Sequence, residues 1–289
     1  METIGLIAGN GTFPLLFAAE ARRRGYRVAA VAHRGETPEA IEAEVDTLVW
    51  VKVGQLGKML RTFKKAGVAR AVMAGGINKV RSLSSVRPDL RGVLFLRRAV
   101  GMGDDSLLRQ LAAEFEGEGI QIVPSTLFLE RMLARTGTMA GPEPSADALR
   151  DIELGRRVLS ATGTLDVGQG VVVERGLVLA IEAIEGTDAA VTRAGALGRG
   201  GAVVVKMAKR GQDMRFDVPA VGPETIATML AAGAKVLALE IGATLILDEE
   251  AVFRAATAAG ISVVGVHAIE QDAVPNQGEG HNVQHVEDT

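Results

Sequence analysis

Short apolar runs alternate with segments of helical periodicity through the first half of the chain. The apolar runs of strand length lie at residues 3–8, 27–32, 47–51, 70–74 and 121–123. Apolar residues at helical spacing lie between them, at residues 14–24, 56–66 and 103–116, and Ser125 is predicted to cap a further helix to residue 133. This alternation predicts parallel strands joined by crossover helices, as in a doubly wound sheet.

The second half has a mixed pattern. A helical segment at 145–161, in which we expect Asp151 and Glu153 to face solvent, precedes a hairpin that turns at Glu174-Arg175-Gly176. Further apolar runs lie at residues 201–205, 236–240, 244–247 and 262–266, with helical spacing at 225–232 and 248–259. The predicted fold class is therefore α/β, with an N-terminal Rossmann-like parallel sheet domain and a C-terminal mixed α/β domain.

The domain boundary is predicted from turn residues. Residues 135–145 contain two glycines and two prolines without apolar periodicity, which is typical of a linker. We therefore expect a first domain at residues 1–134 and a second at residues 146–269. The polar segment 270–289 is predicted to be a disordered tail.

Composition excludes several classes of protein. A net charge of −3 and an aromatic content of 3% argue against a nucleic-acid binder. The absence of cysteine excludes disulfides and thiolate metal sites. The apolar segment 226–247 contains Lys235 and Glu240, so we predict buried core there and no membrane span. The N-terminus lacks the pattern of a signal peptide, so we expect a cytoplasmic protein.

Two glycine turns are candidates for a ligand site. The first strand is followed by Gly9-Asn10-Gly11 and by Pro14 in the first turn of a helix, a geometry that presents backbone N–H groups to an anion. The fourth strand is followed by Gly75, Gly76, Asn78 and Lys79, which could meet a base, a ribose or a phosphate. The alternative is that both are plain tight turns. The second strand ends in Ala32-His33-Arg34 without an acid, which argues against NAD and leaves NADP open through Arg34.

Residues 206–225 form the most highly charged loop of the chain. The loop carries the cations Lys206, Lys209, Arg210 and Arg215 and the acids Asp213 and Asp217. Carboxylates among cations suit a metal ion held against phosphate oxygens. A solvated charged loop is the alternative. Helix capping and ligand binding are both possible roles for five further acids: Asp104, Asp105, Glu182, Glu185 and Asp188.

Four segments, in this order and spacing, carry a resemblance to a known family: GLIAGNGTFPLL, AGGINK, GDDSLLR and KMAKRGQDMRFDVPAVG. Together they resemble the LpxI family of UDP-2,3-diacylglucosamine pyrophosphatases. The resemblance implies hydrolysis of a UDP-sugar with two acyl chains, an intermediate of lipid A biosynthesis. Water would attack the α-phosphorus to give UMP and 2,3-diacylglucosamine 1-phosphate (lipid X), with Mg²⁺ or another divalent cation required.

The resemblance also implies roles for individual residues. The first domain would bind UDP through Gly9, Asn10, Gly11, Pro14, Gly75, Gly76, Asn78 and Lys79, and the second would hold the acylated sugar. Asp217 would be the essential aspartate and Asp213 a second metal ligand or base. Lys206, Lys209 and Arg215 would bind the pyrophosphate.

The expected partners are UDP-diacylglucosamine and lipid X, with a peripheral contact with the inner membrane and a homo-oligomer left open. The sequence lacks a Walker loop and a convincing Ser-His-Asp constellation, which fits attack by water. Two other classes remain: an NADP-dependent oxidoreductase and a non-catalytic carrier of a nucleotide-linked lipid.

Overall fold

The computed structural model describes residues 1–77, 87–99, 104–165, 167–209, 212–216 and 218–269. Three of the predicted site residues, Asn78, Lys79 and Asp217, lie outside these ranges, as does the predicted tail at 270–289. No described helix has the length and apolarity that crossing a membrane requires.

The first sheet is all-parallel and has the strand order β3-β2-β1-β4-β5. Its strands are β1 (Thr3–Ala8), β2 (Arg27–His33), β3 (Thr47–Val51), β4 (Arg70–Ala74) and β5 (Gln121–Ile122). Its helices are α1 (Phe13–Arg23), α2 (Leu56–Lys65), α3 (Leu90–Ala99) and α4 (Asp104–Glu116). The strands β1, β2 and β4 are nearly continuous runs of buried residues because core packs on both faces of the sheet.

The second sheet is mixed and has the strand order β6-β13-β11-β9-β7-β8, and β10 and β12 form a separate parallel pair. The strands are β6 (Gly137–Ala140), β7 (Gly170–Glu174), β8 (Leu177–Ile181), β9 (Val203–Lys206), β10 (Ala220–Val221), β11 (Val236–Glu240), β12 (Leu245–Ile246) and β13 (Ser262–Val266). The helices are α5 (Ala146–Thr162), α6 (Thr187–Leu197), α7 (Pro223–Ala231) and α8 (Glu249–Ala259). Both sheets confirm the predicted fold class.

The two halves of the chain share part of one core. Val218 and Leu245, from the second half, are buried in the same cluster as residues of β1, β2 and β4. The Ala134 N–H donates to the Thr244 carbonyl at 2.8 Å, and Leu133 forms an isolated antiparallel bridge with Leu245. The charged loop and its flanks are therefore packed onto the first sheet.

The prediction of a helix after Ser125 was wrong. The helix predicted after Ser125 is only a 3-10 turn at Glu130–Met132. Phe128 has a φ of +75°, and its ring packs 5.7 Å from Phe17 and 4.8 Å from Tyr26 between ring centroids, so aromatic packing overrides the helical periodicity. The segment predicted as the linker, residues 135–145, contains β6, which pairs with β13 as an edge strand.

Asp151, expected to face solvent, is only 6% exposed. Its two carboxylate oxygens accept hydrogen bonds from the backbone N–H groups of Arg175 and Gly176, both at 2.7 Å. Arg175 and Gly176 have φ values of +53° and +77° at the predicted β7–β8 turn. Asp151 therefore fixes this left-handed turn against α5.

Replacing Asp151 with alanine should lower the free energy of unfolding by about 2–4 kcal/mol, because two bonds to a charged acceptor are lost. Glu153→Ala on the same helix is the matched control, since Glu153 is exposed and pairs only with Arg156 at the surface. The control should change the stability by less than about 0.5 kcal/mol. Urea unfolding followed by circular dichroism measures both values, and equal effects of the two substitutions would contradict the role of Asp151.

Candidate active site

The end of β1 and the end of β4 meet at the point where the first sheet reverses its strand order. β1 leads to β2 and β3 on one side, whereas β4 and β5 lie on the other. In open α/β sheets, ligands bind in the crevice beyond the carboxyl ends of strands at such a switch point. The predicted glycine turns, which follow Ala8 and Ala74, lie at this crevice.

Two backbone hydrogen bonds join these turns. The Gly9 N–H donates to the Ala74 carbonyl at 2.8 Å, and the Asn10 N–H donates to the Gly76 carbonyl at 2.7 Å. A Cβ on residue 9 would lie 2.3 Å from the Gly76 oxygen. Gly75 has a φ of +82°, and a Cβ there would lie 2.3 Å from the Asn10 oxygen. Glycine is therefore required at both positions for the close approach of the turns.

The sequence did not single out the support beneath the first turn. The Ala8 carbonyl, at the end of β1, accepts a hydrogen bond from Thr37 Oγ1 at 2.7 Å and lies 2.9 Å from His33 Nδ1. Burial lowers the pKa of His33 below its usual value. The hydrogen bond to Ala8 and the charge of Glu36 raise the pKa but do not cancel the effect of burial. His33 is therefore neutral at pH 7, and its Nδ1 carries the proton that bonds the carbonyl.

The start of α1 completes this side of the crevice. Gly11 is exposed, with open space where a Cβ would lie, and Pro14 is buried in the first turn of the helix. The first turn of α1 carries no acidic side chain. The Asn10 side chain points to Glu36, with Nδ2 3.4 Å from Oε2. The helix N-terminus thus opens toward the crevice beside Gly11, and a helix N-terminus favours anions.

One described segment of the charged loop, residues 212–216, lies at the same edge of the sheet. Ser125, three residues beyond β5, donates its backbone N–H to the Met214 carbonyl at 3.3 Å. Met214 packs on the core cluster that contains β1, and Phe216 packs on the cluster on the opposite face of the sheet. Since β5 neighbours β4, the loop is docked at the carboxyl edge that carries the glycine turns.

Asp213 and Arg215 are paired with each other. Arg215 Nε lies 2.9 Å from Asp213 Oδ1, and Nη2 lies 2.8 Å from Oδ2. This side-chain hydrogen bond is the main cause that lowers the pKa of Asp213, with burial opposing it. Arg215 Nη1 also binds Glu116 at the end of α4, at 2.9 Å. The pair therefore anchors the loop to the first domain.

The predicted cations Lys206 and Lys209 lie on the side of the second sheet. Lys206, the last residue of β9, is 4% exposed, and its Nζ binds Thr187 Oγ1 at the start of α6 and lies 3.4 Å from Glu182 Oε2. Burial is the largest cause that raises the pKa of the neighbouring Asp188, although Lys206 opposes it. The backbone N–H of Lys209 donates to Gln212 Oε1 at 2.6 Å.

Glu240 is a further acid that the sequence analysis did not propose as a site residue. It is the last residue of β11, and its Oε2 accepts the Ala208 N–H at 2.7 Å. Burial raises the pKa of Glu240, and the hydrogen bond from the Ala208 N–H lowers it by less. An acid at the end of the apolar run VLALE was visible in the sequence and could have marked Glu240 as a candidate. In the structure it lies at the carboxyl edge beside Lys206.

Two family models match the chain over nearly its whole length. They are the LpxI N-terminal domain, at residues 3–132, and the LpxI C-terminal domain, at residues 135–264. The UDP-2,3-diacylglucosamine pyrophosphatase LpxI of Caulobacter vibrioides is 34% identical over 282 residues, which cover 94% of this chain and 100% of the relative. The chain belongs to the LpxI family. The family predicted from the four sequence segments is thereby confirmed.

Solved structures give weak likenesses. N5-carboxyaminoimidazole synthetase from Staphylococcus aureus is 18% identical, with 64% of this chain and 41% of that chain covered and a TM-score of 0.25. The protein designated gox2253 is 12% identical, with 92% and 90% covered and a TM-score of 0.28. TM-scores this low support no conclusion about the fold or the function of this chain.

Gly9→Ala should force the two glycine turns apart, because the new Cβ would meet the Gly76 carbonyl. Amide hydrogen exchange at Asn10 should then be at least about tenfold faster, since a factor of ten corresponds to about 1.4 kcal/mol, the size of one hydrogen bond. Thr12→Ala is the control, because Thr12 is exposed, has an ordinary φ of −86° and makes no side-chain capping hydrogen bond. Equal exchange at Asn10 in both variants, measured by NMR, would refute the close contact.

Proposed function

We propose that this chain hydrolyses the pyrophosphate bond of UDP-2,3-diacylglucosamine in lipid A biosynthesis, in the cytoplasm. The family, through its relative from Caulobacter vibrioides, supports the reaction and the substrate. One observation supports placing the reaction at the crevice between β1 and β4, namely that residues 212–216 are docked beside β4. It brings the charged loop to the edge where the glycine turns offer backbone N–H groups.

The proposed division of roles follows from this arrangement. The phosphates of UDP would lie at the crevice between β1 and β4, against the turn at Gly9-Asn10-Gly11 and the N-terminus of α1. The loop that carries Asp213, Arg215 and Asp217 would border the scissile bond from the other side. A site split between the two halves in this way needs both sets of residues, since neither half contains both.

The chemistry requires charge compensation and a positioned water. In the proposed reaction the water oxygen bonds to the α-phosphorus, the bond from this phosphorus to the bridging oxygen breaks, and lipid X leaves with that oxygen. Donors fixed in advance by the fold stabilise the charge that develops on the phosphoryl oxygens. The backbone N–H groups of Gly11 and Thr12 are the proposed donors, because the bonds from Gly9 and Asn10 to β4 and Gly76 hold the preceding residues of the turn rigid.

Two side-chain cations of the proposed site are already paired. Arg215 binds Asp213 and Glu116, and Lys206 binds Glu182 and Thr187. In this arrangement both side chains act as anchors of the loop and of the end of β9. Their predicted contacts with the pyrophosphate remain predictions, which require each cation to exchange an acidic partner for the ligand.

The divalent cation implied by the resemblance is a weak fit to the described residues. They contain no group of three or more His, Asp or Glu side chains that could hold a metal ion. Both oxygens of Asp213 accept hydrogen bonds from Arg215, so Asp213 does not fit as a ligand in this arrangement. Asp217, with substrate oxygens and water, remains the proposed ligand. No step of the proposed reaction is therefore derived from the ion.

The two other classes have no comparable support. For an NADP-dependent oxidoreductase the proposed anchor was Arg34, but its guanidinium lies over the ring of Trp50, 5.9 Å from the ring centroid. A non-catalytic carrier would require a family member without turnover, and the relative from Caulobacter vibrioides is named as a pyrophosphatase.

Turnover in oxygen-18 water tests the site of attack. Mass spectrometry of the products should find one label in UMP and none in lipid X, because the water oxygen becomes part of the α-phosphate. The matched control is incubation of unlabelled UMP and lipid X with the enzyme in the same water, which should leave both unlabelled. Label confined to lipid X would contradict attack at the α-phosphorus.

Asp217→Asn keeps the shape of the side chain and removes its charge. We expect turnover to fall by about 10²-fold or more, the range for a general base or an electrostatic group. Asp147→Asn is the control, because Asp147 is an exposed acid on α5 whose side chain is 82% accessible. Near wild-type turnover of the Asp217 variant, assayed with saturating Mg²⁺, would show that another acid acts.

A further inference from the structure

The outward face of α3 is apolar. Leu90, Val93 and Leu94 are 81%, 40% and 48% exposed, and their spacing places them on one side of the helix. Phe95, on the opposite side, is buried in the core cluster that also contains residues of α2 and α4. A surface helix of a globular protein normally has one apolar stripe, directed inward. The second, exposed apolar stripe of α3 therefore indicates a binding surface.

Arginines surround this apolar face. Arg97 continues the same side of the helix by one turn, Arg98 and Arg91 flank it, and Arg87 precedes the helix. The ten residues of α3 contain no acid. The nearby acids Glu114 and Glu118 are already paired with arginines of the helix, since Arg98 binds Glu114 and Arg91 binds both. The patch is thus positive in a chain of net charge −3.

A hollow of about 570 Å³ between α2 and α3 extends the apolar face. Leu60, Leu90 and Leu94 line it, together with three cations (Arg61, Lys64 and Arg91) and two acids (Asp89 and Glu118). Apolar side chains with an excess of cations beside them match the boundary between acyl chains and anionic headgroups of a bilayer.

The helix is held firmly at its start. The carboxylate of Asp89 accepts the Gly92 N–H at 2.9 Å and the Lys58 N–H at 3.0 Å, which joins the first turns of α3 and α2. The Asp89 N–H donates to the Gly54 carbonyl at 3.3 Å, just beyond the end of β3. The apolar face is therefore part of the folded surface, and α3 begins at the carboxyl edge of the first sheet.

We propose that α3 docks this protein on an anionic bilayer surface. Leu90, Val93 and Leu94 enter the boundary between headgroups and acyl chains, and Arg97 and Arg98 bind lipid phosphates. A second copy of the chain fits this surface less well, because a symmetric contact would bring two arginine-rich patches together. The proposal rests on the proposed function, because a substrate with two acyl chains gives the protein a reason to bind a bilayer. The docking itself is measured without turnover.

Vesicle flotation tests the docking directly. The full chain should float with vesicles of phosphatidylcholine containing 30% phosphatidylglycerol and should bind pure phosphatidylcholine at least about tenfold more weakly. The double variant Leu90→Glu/Leu94→Glu should lose at least about tenfold in partitioning to the anionic vesicles. The double variant Arg97→Glu/Arg98→Glu should show a loss of similar size.

Matched controls change equally exposed residues elsewhere. Leu149→Glu/Leu230→Glu replaces two leucines that are 54% and 55% exposed, and Arg150→Glu/Arg254→Glu replaces two exposed arginines on α5 and α8. Both controls should float like the wild type. Circular dichroism verifies the fold of every variant, and the arginine pair keeps the test decisive if the leucine variant unfolds.

Three outcomes would overturn the proposal: no flotation of the wild type, equal flotation of the α3 variants and the wild type, or a dimer that the leucine variant dissociates. The last outcome would assign the surface to a second copy. Turnover of UDP-2,3-diacylglucosamine in detergent micelles separates the two proposals. We expect the α3 variants to keep this turnover, whereas its absence in the wild type would refute the proposed function and leave the flotation result standing.

Discussion

The contact between the turns after β1 and β4 is the constraint on which the candidate site depends. Two backbone hydrogen bonds and two glycines without space for a Cβ hold the strand ends together at the switch point of the sheet. His33 and Thr37 hold the Ala8 carbonyl from below. A rigid crevice of this kind can present backbone N–H groups to phosphate without reorganisation.

The second half of the chain packs against the first sheet near this crevice. Val218 and Leu245 are buried in the core of the first sheet, and the Asp213–Arg215 pair reaches Glu116 on α4. The charged loop is thus positioned by apolar packing and by one ion-pair network. Lys206 and Glu240, at the ends of neighbouring strands β9 and β11, border the loop from the second sheet. Catalysis as proposed would use groups from both sheets.

Sequence periodicity predicted most of the fold, because strands buried on both faces and amphipathic helices leave clear patterns. It did not predict Phe128, whose left-handed backbone depends on contacts with Phe17 and Tyr26. It also misjudged Asp151, whose burial depends on a hairpin 24 residues away along the chain. Among the site residues, the glycine turns were visible from spacing, whereas the support from Thr37 and the pairing of Asp213 depend on tertiary contacts. Side-chain partners of this kind are not encoded in local patterns.

The central claim is that the crevice between β1 and β4 binds the nucleotide phosphates of the substrate. A crystal structure of the protein with UMP bound tests it most directly. The account predicts that the phosphate lies within hydrogen-bond distance of backbone N–H groups in residues 11–13, at the N-terminus of α1. UMP bound away from the carboxyl edge of the first sheet would contradict the account.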